Sequence, residues 1–143
     1  MAFDNDMSTL QPQSLANRGA ALAGEVILLL EDDELVRRAT ERMLRRYGAE
    51  VVTAAGSSEA LSAVANRGLA PSCVIADYWL DGGESGLAAA AAIRQGVAGP
   101  LRGFIITGDL SRDVAEEVAR AGLRLLRKPV SVDAFLDALT EAV

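Results

Sequence analysis

The chain has 143 residues, half of them apolar, a quarter charged and only 4% aromatic, a globular composition with an aliphatic core and length enough to fold without a disulfide or metal staple. Its 20 acidic side chains outnumber its 14 basic ones, for a net charge of −6, which opposes direct binding of nucleic acid or of an anionic membrane. Histidine is absent and Cys73 is the single cysteine, which excludes Ser-His-Asp and Cys-His catalysis, a phosphohistidine within the chain, an intrachain disulfide and most zinc sites, and suits a reducing cytoplasm.

Residues 1–24 are polar and lack a convincing period; they read as a flexible leader or linker, with room for a short helix around Leu15 to Leu22. From residue 25 to 143 strands and helices alternate. Val26 to Leu30 is a wholly apolar run, the mark of a strand buried on both faces of a parallel sheet. Leu35, Val36, Ala39, Met43, Leu44 and Tyr47 follow at helical spacing, and Gly48 stops that helix. Glu50 to Ala54 is a second strand, and Ser57 or Ser58 can cap a helix with Ala60, Leu61 and Val64 inward.

Cys73 to Ala76 form a third strand that closes at Asp77. A loop of Asp81, Gly82 and Gly83 leads to a helix around Leu87 to Arg94, whose seven-residue apolar run to Ile93 is far too short to span a membrane. Gly103 to Ile106 form a fourth strand ending at Thr107, and Val114 and Val118 mark a fourth helix. Leu123 to Leu126 form a fifth strand before Lys128-Pro129, and Ser131 caps a last helix bearing Val132, Phe135, Leu136 and Leu139. Five strand–helix pairs imply a parallel α/β sheet with right-handed crossovers and helices on both faces.

The strand C-termini of such a sheet share one edge, where sites form. That edge receives Glu31, Asp32 and Asp33 after the first strand, Asp77 after the third, Thr107 after the fourth and Lys128 after the fifth. Each has a structural reading alone, as helix cap or turn residue. Together, clustered carboxylates need a cation to stay ionised, and an all-oxygen set favours Mg2+. A carboxylate between that cation and Lys128 is placed to attack phosphorus, so the set suggests phosphoryl transfer onto Asp77.

The runs Ile27-Leu28-Leu29-Leu30-Glu31-Asp32-Asp33, Val74-Ile75-Ala76-Asp77, Ile105-Ile106-Thr107-Gly108 and Arg127-Lys128-Pro129 resemble, in order and spacing, the receiver domain of bacterial two-component response regulators. Asp77-Tyr78-Trp79-Leu80-Asp81-Gly82-Gly83 and Leu125-Leu126-Arg127-Lys128-Pro129-Val130 look most like the C-terminal receivers of hybrid sensor histidine kinases, or a single-domain regulator. The resemblance implies a flavodoxin-like three-layer fold, with a five-stranded parallel sheet in order 2-1-3-4-5 and five helices. It implies Asp77 as phosphoacceptor, and Mg2+ on Asp32, Asp77 and the Trp79 carbonyl, with Glu31 acting mainly through water. Thr107 and Lys128 would contact the phosphoryl group, and the Lys128–Pro129 bond would be cis.

A sensor histidine kinase or histidine phosphotransfer protein would be the donor, with a downstream protein on the face of the fourth and fifth helices. A cytoplasmic location is implied, and a homodimer is left open. Such a domain is a signalling element, catalysing only its own phosphotransfer and slow autodephosphorylation. Two departures stand out: Asp81 replaces a frequent proline, and Leu125 occupies the switch position where many members carry Tyr or Phe. The Trp79 ring would either cover the phosphate or pack on the adjacent loop.

Two other readings compete. A scaffold of the same fold that is never phosphorylated is disfavoured by the intact site positions. A haloacid-dehalogenase-like phosphatase would carry Asp-x-Asp-x-Thr after its first strand, whereas Glu31-Asp32-Asp33-Glu34-Leu35 lacks that threonine.

Overall fold

The computed structural model describes residues 18–80, 82–109 and 111–141; Asp81, Leu110 and the leader up to residue 17 lie outside them. The strands are β1 (Val26–Leu30), β2 (Glu50–Ala54), β3 (Cys73–Asp77), β4 (Arg102–Thr107) and β5 (Arg124–Arg127). They alternate with α1 (Glu34–Arg46), α2 (Ser57–Arg67), α3 (Gly86–Gly96), α4 (Arg112–Arg120) and α5 (Val132–Thr140). All pairings are parallel and the sheet order is β2-β1-β3-β4-β5, as expected from the sequence.

Alternation along each strand divides the core into two layers. Leu28, Leu30, Val74, Ala76 and Ile105 face α2, α3 and α4 through Ala60, Ala89, Ile93 and Val118. Ile27, Leu29, Ile75, Phe104 and Ile106 face α1 and α5 through Leu44, Phe135, Leu136 and Leu139. Burying each large aliphatic side chain contributes about 1.5–3 kcal/mol, and Ile75→Ala would cost about 2–5 kcal/mol because the cavity left behind cannot fully collapse.

Three local readings change. Leu35 and Val36 are 79% and 44% exposed: helical spacing puts them on one stripe, but only Leu44 of α1 is buried in the core. Gly56, not Ser57 or Ser58, is the N-cap of α2, and Ser57 is its first helical residue. Residues 18–24, placed in the leader by their polarity, pack on the domain: Leu22 is fully buried, its N–H donates to the Tyr47 carbonyl across 2.8 Å, and Arg18 pairs with Asp133 and Asp137 of α5. Of the helix expected around Leu15 to Leu22, residues 15–17 lie outside the described part, and Arg18–Ala20 form a single 3-10 turn.

Candidate functional site

The parallel sheet delivers its strand ends to one edge. One carboxylate oxygen from each of Glu31, Asp32 and Asp77 lies within 4.8 Å of the others. Glu31 and Asp77 are buried, at 5% and 8% exposure, and Asp32 is half-buried. Asp33 is not part of this cluster: its side chain caps α1 by accepting from Val36 N–H, so the helix-start reading holds for that residue.

Opposite the carboxylates, Lys128 Nζ donates to Asp77 Oδ2 across 2.9 Å. The peptide bond that follows, Lys128–Pro129, is cis, and Lys128 N–H bonds the Thr107 carbonyl at 2.9 Å. The Thr107 side chain, 2% exposed, accepts from Asp109 N–H at 3.0 Å and keeps its O–H as a donor. Leu125 sits two register pairs back from the Thr107–Arg127 pair, opposite Ile105, half-buried against the α4 layer.

Electrostatics follow from this crowding. Burial, and then the Asp77 charge, push the Glu31 carboxyl above its ordinary value, while the hydrogen bond from Asp33 N–H works the other way. Burial disfavours the Lys128 ammonium, but the hydrogen bond and charge of Asp77, with Glu31 and Asp32 behind, outweigh it and leave its pKa raised. Three converging carboxylates beside one ammonium are a hard-oxygen set that fits a divalent cation.

The loop after Asp77 is tightly drawn. Trp79 and Ser85 pair as an antiparallel bridge, Gly86 N–H bonds the Tyr78 carbonyl at 2.9 Å, and a Cβ on Gly86 would stand 2.2 Å from the Asp77 carbonyl oxygen. Only glycine allows α3 to begin this close to the strand end. The Trp79 ring is 69% exposed and packs edge-on against Tyr78 at 5.0 Å between centroids. Gly86 and Glu84 were missed by the sequence reading; the run Glu84-Ser85-Gly86 just before a helix was the available signal, since Ser85 caps α3.

A cleft of about 490 Å³ opens beside Glu31 and Lys128, between α1 and the start of α5, and is lined by Val36, Thr40, Pro129 and Phe135. Among the described residues no helix is long and apolar enough to cross a membrane.

No curated protein sequence matches this chain. Solved structures do. A response regulator receiver domain protein of Clostridium thermocellum is 26% identical, with a TM-score of 0.70 over 80% of this chain and 90% of that one. The chemotaxis protein CheY4 of Vibrio cholerae, at 22% identity, shares the fold with a TM-score of 0.72 over 85% of this chain and all of that one. A response regulator protein from Burkholderia pseudomallei, described with a phosphorylated aspartic acid, a calcium ion and citrate, is 27% identical, with a TM-score of 0.70 over 82% of this chain and 67% of that one. The family model for the response regulator receiver domain matches residues 27–140, nearly the whole of the folded unit, and the chain belongs to that family.

Proposed function

We propose that Asp77 is the residue on which this receiver domain of two-component signalling accepts its phosphoryl group. The observation that carries the reading is the position of Asp77 between the Glu31 and Asp32 carboxylates and the Lys128 ammonium at 2.9 Å. An Asp77 oxygen attacks phosphorus, the bond from phosphorus to the donor's imidazole nitrogen breaks with its electron pair going to the ring, and an acyl phosphate remains. Lys128 then pairs with a phosphoryl oxygen and the Thr107 hydroxyl donates to another. Asp32, Asp77 and the Trp79 carbonyl would hold Mg2+, with Glu31 acting mainly through water; when bound, the cation offsets negative charge on the phosphoryl oxygens.

Supply of the phosphoryl group falls to a sensor histidine kinase or a histidine phosphotransfer protein. The exposed Leu35 and Val36, the cleft beside Lys128 and five arginines on α1 support that helix as the face such a donor would meet. The face of α4, β5 and α5 would meet the downstream protein. Apart from its own phosphotransfer and a slow hydrolysis of the acyl phosphate, the domain turns over no substrate. It acts in the cytoplasm, as a receiver unit on which residues 18–24 also pack through Leu22 and Arg18.

Incubation with Mg2+ and acetyl phosphate, followed by intact mass measurement, tests the reading. A single phosphoryl adduct, lost in Asp77→Asn, is expected. Absence of an adduct would favour an unphosphorylated scaffold, and steady turnover of phosphoesters would favour a phosphatase.

A further inference from the structure

Glu84, in the loop before α3, reaches across to the start of α2. Its Oε1 accepts from Ser57 N–H at 3.0 Å and its Oε2 accepts from Ser57 Oγ at 2.6 Å, so one carboxylate closes the first turn of α2 from a different loop. Ser57 is 8% exposed, and water competes poorly for these bonds. The carboxylate lies close over Gly56 as well: a Cβ there would stand 2.9 Å from Glu84 Oε1. The φ of Gly56 is −166°, extended backbone that any residue adopts, so a larger residue there would displace the Glu84 carboxylate rather than strain the backbone.

We propose that Glu84, in the loop before α3, is a positioning residue for the cation site, holding that loop, which carries the Trp79 carbonyl, against the start of α2. The inference rests on the assignment of that carbonyl as a cation ligand. The base of the loop is held by the Trp79–Ser85 bridge and by Gly86 against the Asp77 carbonyl. Its far side is tied to α2 by the Glu84 carboxylate, with Leu80 of the same loop packed in the core, while Ser85 caps α3. A backbone carbonyl binds a cation well only if its peptide is already oriented, and groups that orient a ligand without touching the metal typically set affinity by about 10–100-fold. The helix start also favours the carboxylate electrostatically.

A mere helix cap would behave differently, and the chain supplies its own control. Glu59, on α2 itself, accepts from Ala55 N–H at 3.1 Å and supports the same helix start without touching the loop. Trp79 is the single tryptophan and lies in that loop, so its emission during titration with MgCl2 reads the site. Glu84→Ala is expected to weaken Mg2+ binding by about tenfold. Glu84→Gln, which can still accept from Ser57 N–H, should restore most of it, and Glu59→Ala should leave the Mg2+ midpoint unchanged while lowering thermal stability. Ser57→Ala added to Glu84→Ala should cause no further loss of affinity. If Glu84→Ala and wild type bind Mg2+ alike while both respond to Asp32→Ala, the positioning role is wrong and the cation site stands. If wild type binds no Mg2+, both assignments fall.

Discussion

The Tyr78 hydroxyl donates to Glu117 Oε1 across 2.7 Å, joining the residue after Asp77 to the middle of α4. The peptide of Tyr78 is bonded in turn to Ile106 of β4, so motion at the end of β4 and motion of α4 share this residue. Leu125 has no hydroxyl and no ring to move between surface and interior, and a ligand shifts a conformational balance only through groups that interact differently in the two states. Phosphorylation is therefore expected to act through Thr107, Gly108 and Asp109 and then α4. Amide spectra with Mg2+ alone and with Mg2+ plus beryllofluoride should show shifts centred there. Tyr78→Phe should diminish those in α4 and spare those at Gly108 and Asp109. Large shifts at Leu125 and α5 with a still Thr107 loop would contradict this path.

Glu31 carries a cost in the metal-free protein. Burial raises its carboxyl above the ordinary 4.5, so the folded chain holds this proton to higher pH than the unfolded chain does. Stability then falls as pH rises from about 4.5 through the folded value, and is constant above it. Glu31→Gln removes that ionisation and can keep the bond from Asp33 N–H. Without Mg2+ at neutral pH it should stabilise the domain by about 1 kcal/mol, roughly 4 °C in Tm. The advantage should vanish below the ordinary carboxylate value, and Mg2+ binding should weaken. Thermal melts across pH, with and without Mg2+, check all three.

The exposure of the first turn of α1 has a direct consequence for stability. Leu44→Ala should cost about 2–5 kcal/mol in urea unfolding, because Leu44 is fully buried. Leu35→Ala should stay within about 0.5 kcal/mol of wild type, because Leu35 is 79% exposed. A large loss at Leu35 would mean that the first turn of α1 is covered within the domain.

What was legible in the sequence follows from where the information is local. A strand such as Val26 to Leu30 buries both faces, so its apolar run announces it. A parallel sheet then carries Glu31, Asp77, Thr107 and Lys128 to one edge without any side-chain detail. Helical spacing on α1 identifies a stripe but does not say where the sheet beneath it ends, so it does not separate the exposed Leu35 and Val36 from the buried Leu44. The bonds from Ser57 to Glu84 and from Tyr78 to Glu117 join residues 27 and 39 positions apart. They depend on how closely two loops, or a loop and a helix, approach in the folded chain, which spacing alone does not encode. Asp33 shows the reverse case: it shares the acidic run with Asp32, yet only the cap geometry separates the two roles.

The assignment of Asp77 as phosphoacceptor is tested most directly by trapping. After reaction with Mg2+ and acetyl phosphate, hydroxylamine converts an acyl phosphate to a hydroxamate, and peptide mass mapping locates it. The expected result is one hydroxamate, on Asp77, absent without phosphodonor and absent in Asp77→Asn. A hydroxamate on Glu31 or Asp32, or a hydroxylamine-resistant phosphate on a serine or threonine, would contradict the account.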